Sequence, residues 1–160
     1  MMEWTHLKDV LERFGRDVVE RLGEKLAQDD HIASGRLMDS LDYRVQIDDN
    51  DIIVWLLSED YLQYIEKGTQ PHWPPREPIE NWIRDKGIEP YPDKNGKLPT
   101  VQGLAFLICR KISREGTPAD PVLEDTLREV TEVYMPEIEQ AIVDDLDDEV
   151  RAIMIDATIW

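Results

Sequence analysis

Leu41 to Leu57 reads LDYRVQIDDNDIIVWLL. Leu41, Tyr43, Val45 and Ile47 alternate with Asp42, Arg44, Gln46 and Asp48, which is the period of a strand with one wet face. Asp48 to Asp51 is a run of turn formers. Ile52 to Leu57 is apolar on both sides, as expected of a strand covered on both faces or lying in an interface. Together they predict an antiparallel hairpin. The sequence around it has helical period, so the expected class is α+β. The 160 residues suit a single domain with a real core.

Upstream, Trp4, Leu7, Leu11, Phe14, Val18, Leu22 and Leu26 recur at steps of three and four. They predict an amphipathic helix from about Glu3 to Gln28. Gly15 and Gly23 weaken this helix without breaking its pattern. The segment DDHIAS ends it, and Ser34 is placed to cap a short turn in SGRLMDSL. Downstream, Ser58 is placed to cap a short helix carrying Tyr61, Leu62, Tyr64 and Ile65, which Gly68 stops. TQPHWPPRE is a stiff, extended loop, since prolines fix φ. A helix follows from Pro78 to Lys86, with Ile79, Trp82 and Ile83 on its apolar face and Gly87 at its end.

Residues 88–100 hold three prolines and a glycine and are expected to form a mobile loop. Thr100 is placed to cap a helix from Val101 to Glu115, with Leu104, Leu107, Ile108 and Ile112 towards a core. Asp120 and Pro121 open a last long helix with the stripe Leu123, Leu127, Val130, Tyr134, Ile138, Ile142 and Leu146. Pro136 lies inside it and predicts a kink or a break. Residues 146–160 end in the apolar run EVRAIMIDATIW. Such a run packs back or is given to a neighbouring subunit.

Net charge is −17, which argues against a protein that grips nucleic-acid phosphates. From Pro121 to Trp160 there are twelve acids and two bases, net −10. No apolar run is long enough to span a bilayer and no signal peptide is visible, so a cytosolic origin is expected. The single cysteine, Cys109, rules out an internal disulfide and a Cys-rich zinc site. It lies in the apolar helix LAFLICRKI and reads as a core thiol.

Catalytic chemistry is hard to find. His6, His31 and His72 share no helical face and no ligand spacing, so no metal or cofactor is expected. Ser34-Gly35-Arg36 lacks the setting of a hydrolase elbow. Glu66 and His72 are the one acid–base pair worth weighing. The plainer reading has Glu66 pinning the backbone of the following loop. Trp73, between His72 and Pro74-Pro75, and Trp160 have no place in a periodic core stripe. They are candidate contact anchors for a subunit or partner, with His72, Pro74 and Pro75.

The order of these pieces resembles the tail-component family of long-tailed bacteriophages, the tail-completion or head–tail joining proteins of the minor tail protein Z type. The residues that carry it are Gly35, Arg36, Leu37 and Ser40 in SGRLMDSL, then Tyr61, Tyr64, Glu66, Gly68 and Thr69 in YLQYIEKGT, and later Pro121, Val122 and Leu123. Val122 stands where the family has an aromatic residue, and the section between the two later motifs is longer. The resemblance implies a structural virion protein made in the host cytoplasm. It would form a ring, as a hexamer, at the head–tail junction. Its partners would be the head-connector or stopper and the tail-tube or tail-terminator proteins, and DNA would pass through unbound. An acidic C-terminal helix suits the border of such a lumen. Arg36 reads equally as a guanidinium forked onto a carboxylate, with Glu66 named as its partner, and as a solvated Arg on a short helix. Two other classes stay open: a small acidic DNA mimic that inhibits a host DNA-binding protein, and an enzyme using Glu66 and His72.

Overall fold

The computed structural model describes residues 3–28, 35–48, 51–92 and 94–158. Along these the order is α1 (Thr5–Gln28), α2 (Arg36–Ser40), β1 (Asp42–Ile47), β2 (Ile52–Leu57), α3 (Tyr61–Lys67), α4 (Arg76–Asp85), α5 (Val101–Glu115) and α6 (Val122–Thr158). The class is α+β, with a long helix at each end and an antiparallel hairpin between. The chain divides into two compact units. One gathers residues 1–25, 40–58 and 123–160, and the other residues 26–39 and 59–122.

In the first unit the core joins Leu7, Val10, Leu11 and Val18 of α1 to Val130, Tyr134 and Ala141 of α6. Val45, Ile47, Val54 and Leu56 of the hairpin pack against it. Each such large aliphatic side chain, when fully buried, contributes roughly 1.5–3 kcal/mol. Polar contacts fix the alignment of the two helices. Tyr134 donates to Asp17 Oδ2 at 2.7 Å, and its ring meets Phe14 edge-on at 5.8 Å. Burial and that hydrogen bond both raise the Tyr134 pKa. Arg13 pairs with Glu137 at 2.8 Å and Lys25 with Glu129 at 2.8 Å.

The first backbone N–H groups of α1 need an acceptor. Asp145, only 2% exposed, supplies one from α6. Its carboxylate accepts from the backbone N–H of His6 and of Leu7, each at 2.9 Å. A charge there also faces the positive end of the helix dipole. His6 donates through Nε2 to Asp148 at 3.1 Å.

The hairpin register pairs Tyr43 with Leu56, Val45 with Val54 and Ile47 with Ile52 on one face. Asp42 with Leu57, Arg44 with Trp55 and Gln46 with Ile53 fill the other. The turn is closed by Asp48 N–H to Asp51 O and by Asp51 N–H to the Asp48 side chain, both 3.0 Å. Gly15 is where the hairpin meets α1. A Cβ built there would lie 2.4 Å from the Tyr43 ring, so the glycine admits the strand rather than merely weakening the helix.

Several expectations shift. The second face of β2 is not covered within its unit: Trp55 is 48% exposed and Leu57 41%. Only the helix-facing side is packed, because the sheet has two strands and one layer behind it. Of the kink or break expected at Pro136, the break does not occur: α6 is helical on both sides of it, since the missing N–H removes one bond of a ladder that its neighbours sustain. Its inward face carries Thr126 and Asp145, both buried, while Leu127 and Leu146 point to solvent. The Ser34 cap lies outside the described residues.

In the second unit, α3 starts after Asp60 with no side-chain cap, so Ser58 does not serve as one. α4 begins at Arg76, two residues before Pro78. That proline falls in the first turn, where no backbone N–H is needed. Gly87, φ 61°, donates to Arg84 O and ends the helix. Thr100 caps α5, its Oγ1 accepting from Gly103 N–H at 3.0 Å. The buried face of α5 is set by Ala105 and Cys109, and Leu107, expected inside, is 52% exposed. Small residues let α5 approach its neighbours closely and turn the larger Leu107 outward.

Candidate assembly site

Two Gly-Thr pairs organise the second unit. Each follows a helix, Gly68-Thr69 after α3 and Gly116-Thr117 after α5. Thr69 N–H donates to Thr117 O at 3.0 Å, and Thr117 N–H to Thr69 O at 3.1 Å. The two hydroxyls share a hydrogen bond of 2.9 Å. Both glycines have positive φ, 64° and 71°. A Cβ on Gly68 would lie 2.4 Å from Thr117 O, and one on Gly116 would lie 2.0 Å from Thr69 O. Only glycine allows the two backbones to come this close. Asp120 N–H donates to Ile65 O at 2.9 Å and extends the strap.

The strap floors an open cleft of about 740 Å³. Tyr61, Tyr64 and Ile65 of α3 form one wall, Ile79 of α4 and Ile112 of α5 another. Thr69, Gln70, Pro71, His72, Thr117 and Pro118 complete it. Tyr61 is half-exposed, and the burial of the rest of its side chain raises its pKa. His72 donates through Nδ1 to Gln70 O at 2.9 Å, and its backbone N–H reaches Ile112 O at 3.4 Å. The lining is aromatic and aliphatic with few polar groups, which suits a contact surface for a side chain or peptide segment.

The structure places the expected residues unevenly. Tyr61, Tyr64, Thr69 and His72 come together in the cleft wall, and Gly68 lies in the strap below. Glu66 is half-buried on α3 and is not part of that wall. Gly35 has φ 77° and accepts from Asp39 N–H at 3.0 Å, opening α2. Leu37 is buried, Arg36 exposed and Ser40 half-buried. Pro74 is buried, while Trp73 stands 53% exposed beside Phe106, ring centroids 5.7 Å apart. Pro75 is exposed next to it. Trp160 lies outside the described residues, as does His31.

The partner motif Gly116-Thr117 is absent from the residues singled out in the sequence. The signal was present: a second Gly-Thr directly after a helix, in EGT as in KGT. Trp55 and Leu57 of the hairpin, and Leu107 of α5, add exposed apolar side chains that periodicity had assigned to the interior or to an interface. Among the described residues, no cluster of three or more His, Cys, Asp and Glu side chains is placed to hold a metal ion, and no helix is long and apolar enough to cross a membrane. No family model, no curated protein and no solved structure matches this chain.

Proposed function

We propose that this chain is a structural subunit of the neck of a long-tailed bacteriophage. It assembles as a ring, a hexamer by the resemblance, that completes the tail or joins it to the head. The observation that carries the reading is where the motif residues make their bonds. Gly68 and Thr69 hold a backbone strap with Gly116 and Thr117. Tyr61, Tyr64 and His72 are thereby presented along an open, mostly apolar cleft. A motif of this kind builds a shape for another chain to fit. The exposed Trp55, Trp73 and Leu107 support the same reading, since apolar side chains left outside one chain suit contacts with others. The net charge of −17 suits a ring that DNA passes through without being gripped. The partners in this reading are copies of the chain, the head connector or stopper, and the tail tube or tail terminator.

The test is to measure mass in solution, alone and with purified tails and filled heads, and to image the products by electron microscopy. A ring of defined copy number at the head–tail junction is expected. A monomer that ignores both virion parts would count against the reading. Capture of a basic DNA-binding protein by that monomer would replace it with the acidic inhibitor.

A further inference from the structure

We infer that the last turns of α6 in one copy dock head to tail on the exposed face of α5 in a second copy. This deepens the ring reading by naming a contact from which a ring can be built, and it stands on observations of its own. Val143, Leu146, Val150 and Ile153 are all about half-exposed or more, and Ala157 is exposed as well. Their spacing alternates three and four, with valines at one seam position and Leu or Ile at the other. That is the pattern of a helix seeking a partner helix. This seam lies roughly 100° round α6 from the inward face of Ile138, Ala141, Ile142 and Asp145, counting 3.6 residues per turn, so packing in the first unit does not use it.

Charge decides what covers the seam. Residues 143–157 hold six acids and one base, net −5. Two such segments side by side would repel one another at short range. The chain itself carries a face of opposite sign. On α5, Phe106, Leu107, Arg110, Lys111 and Arg114 are exposed and fall within an arc of roughly 140°. Trp73 widens the apolar part through its contact with Phe106. None of those three bases is ion-paired among the described residues. An apolar seam flanked by Asp147, Glu149 and Asp156 therefore has an apolar, basic counterpart on every other copy. A contact between two different faces is heterologous, and heterologous contacts close into rings or run on as filaments.

The experiment uses two blocked variants of the full chain, Leu107→Asp on α5 and Ile153→Asp on α6. Both positions are exposed, and circular dichroism checks that helicity is kept. Arg110→Glu and Val150→Asp serve as a second pair. Wild type is expected to self-associate, less so as salt is raised. Each variant alone should associate more than about thirtyfold more weakly, as for loss of an interface anchor. Their equimolar mixture should stop at a heterodimer, because one intact pair of faces remains. Wild type that stays monomeric overturns the inference. So does Leu107→Asp that still dimerises alone, which would mean α6 on α6. A neck ring in virions that assembles despite both blocked variants would sink this contact and leave the ring reading standing. The expected variant behaviour without a ring in virions would leave the contact standing and remove the ring reading.

Discussion

Gly68 and Gly116 meet the same demand from opposite sides of one bridge. Each combines a positive φ with a backbone carbonyl where a Cβ would sit. Alanine at either position should cost about 2–4 kcal/mol, from left-handed strain plus a clash that no rotamer relieves. The double variant should cost less than the sum, since the first change already opens the bridge. Urea denaturation checks both. Gly87 is the control: its φ is also positive, but nothing lies within 4 Å of its Cβ site. There alanine should cost only about 1–2 kcal/mol. The sequence shows the two Gly-Thr pairs plainly. It does not show that they clasp each other, because 48 positions separate them and no local period links them.

His6 gives a second residue-scale prediction. Its pKa is raised, first by the hydrogen bond to Asp148 and then by the nearby charges of Asp145, Asp148 and Asp144, with desolvation opposing. A raised folded-state pKa means the folded chain binds the proton more tightly than the unfolded chain. The stabilisation is complete below the unfolded value of about 6.5 and disappears as pH rises through the folded value. The melting temperature of wild type relative to His6→Gln should therefore fall as pH rises from about 6.5 through the folded value and level off above it. A difference that is flat in pH would show that the pair contributes nothing.

At the scale of elements, the contact of α1 with β1 opposes helix propensity to packing. Gly15→Ala in an exposed helix would gain about 1 kcal/mol. Here the added methyl meets the Tyr43 ring at 2.4 Å, so the substitution should destabilise. Removing the ring should reverse the sign: in a Tyr43→Ala background, Gly15→Ala should stabilise by up to about 1 kcal/mol. Chemical denaturation of the four chains measures the cycle. Equal effects in both backgrounds would place Tyr43 elsewhere.

Periodicity found every helix and the hairpin, and it failed where large apolar residues surround a helix. α6 is apolar on more than one side, so counting large side chains chose a stripe that included Leu127 and Leu146. The face turned inward keeps Val130 and Tyr134 of that stripe and adds Thr126, Ala141 and Asp145. In α5, the small Ala105 and Cys109 set the inward phase and Leu107 was misplaced. Residues that permit close approach leave a weak hydropathy signal, although they decide which face packs. Asp145 was illegible for a different reason. Its role is to cap a helix that begins 140 residues earlier, and within any local window it is only one more acid in an acidic run.

At the scale of the whole molecule, charge is the most consequential quantity. With 35 acids against 18 bases, self-repulsion opposes the folded state wherever acids crowd, above all along α6. The melting temperature of the assembly-blocked Ile153→Asp chain should rise as sodium chloride is raised from 10 to 150 mM, while the screening length falls from about 30 to about 8 Å. A melting point unmoved by salt would show that the acids are already neutralised by their neighbours. The class, the hairpin and the terminal helices were legible in the sequence. The division into two units was not, because it rests on which distant segments meet.

That division has a consequence for synthesis. The first unit is discontinuous: α1 and the hairpin must wait for α6, and residues 59–122 come between. At ribosomal speeds of about 5–20 residues per second, those 64 residues take several seconds to emerge. The strap from Thr69 to Thr117 closes as soon as the second Gly-Thr pair leaves the exit tunnel. The unit begun later is thus finished earlier, and the apolar stripe of α1 stays uncovered through the interval. A nascent chain stalled with residues 1–122 outside the tunnel would expose that stripe to chaperones, whereas the released chain, with α6 free to pack, would not.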